Sequence, residues 1–285
     1  MVHHFTYGPL TPVLAYMMSC IGCALGLLCT SRARGVTGRA RWPWLGLAAL
    51  SIGGTGIWVM HFIAMLGFSV SGEQIRFDVP ITLLSAAVAI VFVGIGLLLV
   101  GTGREGTPRL CLAGVITGLG VASMHYIGMS AMRMSGTMHY DPLLVALSVV
   151  IGVVAATAGL WFALRVRGGL ATLGATLIMG IAVCGMHYTG MAAMTVTMDP
   201  DMAMPVSGGV TAENFFIPLI VAICIFAMFV LTIILMTPGE AELRREQELE
   251  RRVVQRPAPV PAPVPAPAYR DDAPPANEGS AWFTG

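Results

Sequence analysis

Seven apolar segments, each about 20 residues long or longer, determine what this chain can fold into. A helix that crosses the hydrocarbon core of a bilayer needs about 20 mostly apolar residues. None of the seven has an Asp, Glu, Lys or Arg in its interior, and they lie at 10–30, 44–68, 80–101, 110–132, 142–164, 170–194 and 214–236. We therefore predict an all-α membrane protein with seven transmembrane helices.

Composition supports the same fold class. The chain is 56% hydrophobic and 11% charged, whereas roughly a quarter of the residues in a soluble domain are charged. The apolar excess excludes an ordinary soluble protein and predicts contact with membrane lipid. The formal net charge is only +1, so bulk electrostatics give no reason to expect nucleic-acid binding.

The distribution of arginine predicts the orientation of the helices. If the N-terminus is outside, the inner loops hold eight arginines and the C-terminal tail holds six more. The outer loops then hold only Arg76 and Arg133. Basic residues concentrate on the cytoplasmic side of a membrane protein, so we predict an N-out, C-in chain.

A six-residue box, Met-His-aromatic-x-x-Met, recurs three times. Its copies are MHFIAM at 60–65, MHYIGM at 124–129 and MHYTGM at 186–191. Successive histidines are 64 and 62 residues apart, which corresponds to one pair of helices for each copy. Because the box always falls on the outward-running helix, we predict three repeated helix pairs plus one extra helix.

Helical spacing predicts a shared face for several residues of each repeat. The histidine and the second methionine are four residues apart, so they stack on one side of the helix. The same face is expected to carry the residue seven places after each histidine and the glycine seven places before it. These residues are Phe68, Met132, Met194, Gly54, Gly118 and Gly180.

Two further features of the repeat concern packing and depth. The third residue after each histidine is small, which permits close approach of a neighbouring helix; these residues are Ala64, Gly128 and Gly190. Each histidine is expected about seven residues inside the outer end of its helix, or roughly 10 Å below the surface. Parallel repetition would bring the three histidines to one level around a common axis.

The chemistry of the boxes favours a soft metal ion. Neutral imidazoles and thioethers, with no carboxylate, form a ligand set that selects copper over Mg, Ca or Mn, and zinc would be expected to recruit Cys or carboxylate ligands. A structural role for one membrane histidine is common, but three matched copies favour a functional site. The predicted metal ligands are His61, His125, His187, Met60, Met65, Met124, Met129, Met186 and Met191.

The triple box resembles the bacterial MHYT sensor domain, and Met186-His187-Tyr188-Thr189 is its literal signature. The second copy differs by Ile127, and the first by Phe62 and Ile63. The resemblance covers about 10–195. It implies a multi-pass sensor of the bacterial inner (cytoplasmic) membrane, in which copper near the outer face responds to O2, CO or NO.

The resemblance also bears on enzymatic activity. Members of this family are commonly fused to domains that make or hydrolyse cyclic di-GMP, or to kinases. We find no such domain in this sequence, so the expectation is a stand-alone, non-enzymatic signalling module that acts through an unidentified cytoplasmic or membrane partner.

Two other functions stay open from the sequence. A haem-binding membrane redox protein could use two of the three histidines as axial ligands, although one box would then have no role. A copper transport or accessory protein could pass the ion inward along the stacked residues. Against transport, the histidine faces below the boxes carry few metal ligands, and no acidic residue offers proton coupling.

The sequence thus divides into five parts. They are a periplasmic N-terminus (1–9), an MHYT domain of six helices (10–195), a Met-rich periplasmic loop (196–213), a seventh transmembrane helix (214–236), and a cytoplasmic charged helix with a Pro/Ala-rich disordered tail (237–285). The loop triplet Met138-His139-Tyr140 lacks the downstream methionine, and we interpret it as unrelated to the boxes.

Overall fold

The computed structural model describes residues 2–3, 6–70, 75–101, 106–134, 136–197, 208–237, 245 and 248–251. Seven of its helices are long and apolar enough to cross a membrane. They are α1 (Leu10–Gly35), α2 (Gly38–Met65), α3 (Val79–Gly101), α4 (Thr107–Ser130), α5 (Pro142–Arg165), α6 (Gly169–Ala192) and α7 (Ala212–Met236). The predicted all-α class with seven spanning helices is confirmed, while the N-out, C-in orientation stays a prediction.

Helices α1 to α6 form a closed bundle. Each helix packs against the next one in the chain, and α1 also packs against α6, so the first and third repeats meet. The boxes lie on α2, α4 and α6. Large apolar side chains cover the outer faces of the bundle, for example Leu143 and Ile181, which are 76% and 64% exposed. Such a surface is suited to lipid, in which every backbone group must be bonded within the protein.

Helix α2 differs from the other two helices that carry a box. Its central section, Leu50–Val59, is π-helical, between α-helical sections at Arg41–Ala49 and Met60–Met65. π-Helical segments are rare and occur frequently at functional sites. This one ends immediately before the first box, and it contains Gly56, whose backbone lies against Gly22 of α1.

Short antiparallel strand pairs close each repeat at one end of the bundle. In every repeat, the segment before the first helix pairs with the segment after the second. The strands are β1 (Val2–His3) with β2 (Ser69–Val70), β3 (Arg76–Phe77) with β4 (Met132–Arg133), and β5 (Thr137–Tyr140) with β6 (Met194–Thr197). A seventh strand, β7 (Val210–Thr211), adds to β3. We call this end the histidine end and the opposite one the arginine end.

Aspartates at the histidine end hold the starts of two helices. The Asp141 carboxylate accepts hydrogen bonds from the amides of Leu143 and Leu144 and so caps α5. Asp78 precedes α3, where its carboxylate pairs with Arg133 of β4. The Arg133 guanidinium, helped by the Ile81 amide, lowers the pKa of Asp78 below its usual range. This ion pair joins the two ends of the second repeat.

The residues seven places after each histidine are not helical, contrary to the prediction. The helices that carry the boxes end at Met65, Ser130 and Ala192. Consequently Met132 and Met194 lie in strands β4 and β6. All three predicted residues are nevertheless buried. The histidines lie four or five residues from the helix ends, or about 6–8 Å along the helix axis. The strand pairs lie beyond the helix ends and add to the depth of the histidines.

Helix α7 contacts the bundle through an aromatic cluster. Phe215 near its start lies 6.1 Å from Phe62 and 6.5 Å from Phe77, measured between ring centroids. Phe62 belongs to the first box and Phe77 to β3. Beyond Thr237, which follows α7, only 245 and 248–251 of the tail are described, and their backbone is helical. The Met-rich segment 198–207 and most of the predicted tail lie outside the described residues.

Candidate metal centre

The three box histidines meet on the axis of the bundle. The Nδ1 atom of His61 lies 2.9 Å from Nδ1 of His187 and 3.1 Å from Nδ1 of His125. Ligand nitrogens of all three lie within 4.8 Å of one another. The side chains are 0–1% exposed. The three histidines therefore meet at one level, as predicted.

The three imidazole rings are arranged edge to face. Their centroids are 4.9, 4.9 and 5.1 Å apart, and the ring planes cross at 79°, 84° and 86°. The aromatic residue that follows each histidine packs against it at 4.9–5.0 Å. Each ring therefore has one edge toward the axis and a large hydrophobic neighbour at its side, which fixes its orientation.

Two of the imidazole rings lie with their Nε2 edges against glycines of neighbouring boxes. A Cβ atom added at Gly128 would stand 2.5 Å from Nε2 of His61, and one added at Gly190 would stand 2.3 Å from Nε2 of His125. In the second and third boxes, the small residue three places after the histidine thus accommodates the histidine of another repeat. The sequence predicts that these positions allow a neighbouring helix backbone to approach, whereas in the structure Gly128 and Gly190 make room for an imidazole ring.

The six methionines of the boxes are all buried. Met65, Met129 and Met191 follow the histidines by one helical turn, and they are 0–3% exposed. Met60, Met124 and Met186 precede the histidines and are 1–2% exposed. They belong to the same apolar core as Phe62 of the first box, and Tyr188 of the third box packs against that core. Their role as thioether ligands stays a prediction.

The glycines seven places before the histidines do not face the axis, which corrects the predicted stripe. A Cβ atom added at Gly118 would lie against Val153 of α5. One added at Gly180 would lie against Tyr16 and Cys20 of α1. Gly54 lies against Ile90 of α3, and the π-helical section of α2 also shifts the register there. Gly118 and Gly180 thus allow α4 and α6 to pack closely on the outer helix of another repeat, whereas Gly54 leaves room for a Cβ atom.

Buried serines on the outer helices form a second repeated feature, which the sequence analysis missed. The Trp58 indole donates a hydrogen bond to Ser85 Oγ at 2.9 Å, and Tyr126 Oη lies 2.6 Å from Ser148 Oγ. Since both serine hydroxyls donate to carbonyls of their own helices, Tyr126 is the donor. Ser19 of α1 is equally buried. The three serines are 66 and 63 residues apart in sequence, which is close to the spacing between the histidines. This repeated spacing could have revealed them.

An apolar cavity of about 50 Å³ lies one helical turn below the histidines. Its walls include the residues four places before each histidine, which are Ile57, Val121 and Val183, together with Met186. A water molecule needs roughly 10–15 Å³ of such space and several polar partners. The cavity is therefore large enough for a small molecule, and its walls suit an apolar one.

The histidine nitrogens fit a metal ion. Imidazole nitrogens bind metals at about 2.0–2.1 Å, so three of them around one ion stand about 3.3–3.6 Å apart. The observed 2.9 and 3.1 Å require shifts of only a few tenths of an ångström. Helices α1 to α6 contain no Asp or Glu, so the available donors are nitrogen and sulfur. This donor set suits copper and gives no oxygen ligands for a hard cation.

Comparison with known families identifies the repeat. The sequence model of the MHYT family, described as "Bacterial signalling protein N terminal repeat", matches residues 54–114 and 118–176. Each matched segment contains one box histidine and one of the two serine pairs, Trp58–Ser85 or Tyr126–Ser148. The family's repeat is thus one box helix with the outer helix that follows it.

Several curated proteins are similar to this chain. One is the "Bifunctional diguanylate cyclase/cyclic di-GMP phosphodiesterase MucR" of Pseudomonas aeruginosa, at 44% identity over 55% of the chain and 23% of MucR. Another from that organism is the "Cyclic di-GMP phosphodiesterase NbdA", at 36% identity over 68% of the chain and 25% of NbdA. The "Signaling protein YkoW" of Bacillus subtilis is 31% identical over 79% of the chain and 28% of YkoW.

The chain spans about a quarter of the length of these relatives. The similarity therefore concerns one part of each relative, and the activities in their names are statements about whole proteins. No solved structure gives a significant match to the chain.

Proposed function

Because the chain belongs to the MHYT family of bacterial signalling proteins, we propose that it is a non-enzymatic sensor of the bacterial inner membrane that binds copper. The ligands in this proposal are His61, His125 and His187, with thioethers of the box methionines completing the donor set. Copper would supply redox chemistry and an open position for a small ligand. The protein residues hold the ion, exclude water and fix the ligand geometry.

One observation carries this proposal, namely the approach of the Nδ1 atoms of three buried histidines. Three nitrogen lone pairs that converge in an apolar interior are unfavourable unless protons or a cation lie between them. Polar groups at membrane depth are costly and are typically functional. A soft cation on the axis satisfies all three nitrogens at once.

The same geometry argues against the two alternative functions. A bis-histidine haem needs its porphyrin plane between the two ligating nitrogens, but these nitrogens are within hydrogen-bonding distance of each other. Transport of copper inward requires ligands along a path. The cavity directly below the histidines is mostly apolar, and apart from the thioethers of Met179 and Met186 and the hydroxyl of Thr117 its side chains offer an ion no ligands.

Replacement of His125 by alanine tests the copper proposal. We expect the affinity for Cu(I), measured by competition with a chelator in purified protein, to fall about 100-fold or more. Loss of even a residue that only supports a metal ligand costs roughly 10- to 100-fold, and His125 is proposed as a ligand itself. Metal analysis of wild-type protein should find about one copper ion per chain.

His139→Ala is the matched control, because His139 lies in a Met-His-Tyr triplet but is exposed on β5. Its copper affinity should equal that of the wild type. Copper retained by His125→Ala, or a loss of the same size in both variants, would contradict the proposal. A Soret absorption band in the wild type would favour haem instead.

We further propose that the ligand sensed by the centre is a diatomic gas, either O2, CO or NO. The apolar cavity below the histidines supports this proposal, because it offers a small neutral molecule a dry site beside the metal position. The signal would then pass to a cytoplasmic or membrane partner. The contact of Phe215 with Phe62, next to His61, links the centre to α7, the helix that leads to the tail.

Filling the cavity tests the gas proposal separately from metal binding. In Val121→Phe, the larger side chain should occupy the cavity and lower the affinity of the reduced, copper-loaded protein for CO by about tenfold. The infrared stretch of bound CO measures this affinity. Copper content should not change, since the histidines lie one turn away.

Val115→Phe is the control for this experiment, because Val115 is on the same helix but 41% exposed on its outer face. It should bind both copper and CO as the wild type does. If Val121→Phe keeps the wild-type affinity for CO while it retains copper, the cavity is not the gas site.

A further inference from the structure

A second cavity, of about 200 Å³, lies at the arginine end of the bundle. Three arginines contribute to its walls: Arg34 near the end of α1, Arg41 in α2 and Arg167 just after α5. Most of the remaining wall is apolar, including Leu45 and Leu97. Among the residues that the structure describes there, no Asp or Glu lines the cavity.

Two of the guanidinium groups are held in place by the ends of other helices. Arg34 donates to the carbonyl of Ala163 and, at 2.8 Å, to that of Val166, at the end of α5. Arg41 donates to the carbonyl of Gly101, at the end of α3, at 2.6 Å. These bonds fix the cationic groups at the cavity wall, so an anion that binds there orders few additional side chains.

Two helix C-termini face the three arginines of this cavity. The C-terminus of a helix carries about half a negative charge, and two such ends face three full positive charges. The preference of arginine for the inner side of a membrane explains why these residues lie at this end. It does not explain why three of them converge on one cavity between helices.

We propose that this cavity binds a phosphate group, which the arginines contact through charge-assisted hydrogen bonds. With the predicted orientation the cavity faces the cytoplasm, where basic pockets between transmembrane helices bind anionic lipid head groups. A soluble phosphate compound presents the same chemistry. This site is independent of the histidine centre, so its failure would leave the copper proposal intact.

Binding to the purified full chain in detergent tests the proposal with two probes. Native mass spectrometry compares phosphatidylglycerol with phosphatidylcholine, and a thermal shift titration uses inorganic pyrophosphate. In Arg167→Gln and Arg41→Gln, we expect binding of the preferred probe to fall about five- to tenfold. Arg167 is exposed, so its replacement is compatible with the fold. Arg39→Gln removes an exposed arginine at the same end that does not line the cavity, and it should have no effect.

The outcomes separate the sources of the phosphate group. Preferential binding of phosphatidylglycerol that the cavity variants lose supports a lipid head group, and saturable binding of pyrophosphate that they lose supports a soluble ligand. The proposal is overturned if the wild type prefers neither probe, or if Arg39→Gln lowers binding as much as Arg167→Gln does.

Discussion

Replacing Gly190 by valine is expected to weaken copper binding at the proposed metal centre while leaving the seven helices in place. The Cβ atom would stand 2.3 Å from Nε2 of His125, where real Cβ contacts are longer than 3.0 Å. The imidazole cannot move toward the axis, because its Nδ1 is already 3.1 Å from that of His61. It must therefore rotate out of the site. We expect copper affinity to fall by about tenfold or more.

Valine is the suitable replacement because the first box already carries Ala64 at the equivalent position. The methyl group of alanine is therefore tolerated at one of the three equivalent positions. Valine adds two further methyl groups, which we expect the site not to accommodate. Copper affinity by chelator competition and helix content by circular dichroism should be measured on the same preparation.

Gly185→Val is the control for this experiment. Gly185 lies on the same helix, α6, but is exposed, and a Cβ atom there meets nothing within 4 Å. Both variants undergo the same change in helix propensity, so a difference between them reports the steric conflict with His125. Equal copper affinity in the two variants would show that the close fit of ring and glycine is not needed.

The substitution Gly22→Val is expected to cause the largest loss of stability. Its Cβ atom would lie 2.2 Å from the backbone nitrogen of Gly56 and 2.6 Å from the carbonyl oxygen of Ser51. Backbone atoms cannot rotate away as a side chain can. Helix α1 would have to separate from α2, and the bundle would no longer close. We expect a destabilisation of at least about 3 kcal/mol, measured by unfolding in detergent.

The appropriate comparison is Gly46→Val on α2. Gly46 is exposed, and a Cβ atom there has nothing within 4 Å. This variant should change the free energy of unfolding by less than about 1 kcal/mol, because valine is no worse a helix former than glycine. If Gly22→Val unfolds at the same temperature as Gly46→Val, the crossing of α1 and α2 does not hold the bundle together.

Local sequence patterns predicted the parts of this fold that depend on local physics. Apolar length alone identified the seven spanning helices, because a bilayer imposes one length on every segment that crosses it. The repeated box likewise identified the three histidines, since repetition places equivalent residues at equivalent depths. The predicted ends of the box helices were wrong by two or three residues, because apolar residues such as Met132 and Met194 continue into strands.

Features that depend on contacts between repeats could not be predicted in this way. The π-helical section of α2 changes the face on which Gly54 lies, and nothing in its apolar sequence distinguishes it from an α-helix. The role of Gly128 and Gly190 as receptors for a histidine ring requires the order of the helices around the axis. The bond from Tyr126 to Ser148 joins residues of two different helices, so a search for motifs within one helix does not find it.

The enclosure of the histidines has a consequence for kinetics. Their nitrogens are covered by buried methionines and strand pairs toward the histidine end and by an apolar cavity toward the arginine end. The three histidine side chains are only 0–1% exposed. Local opening of a protein is slow compared with ligand exchange on an exposed ion. If the proposed centre holds an ion, we therefore expect its residence time to depend on how often the helices part as well as on the strength of its bonds to nitrogen.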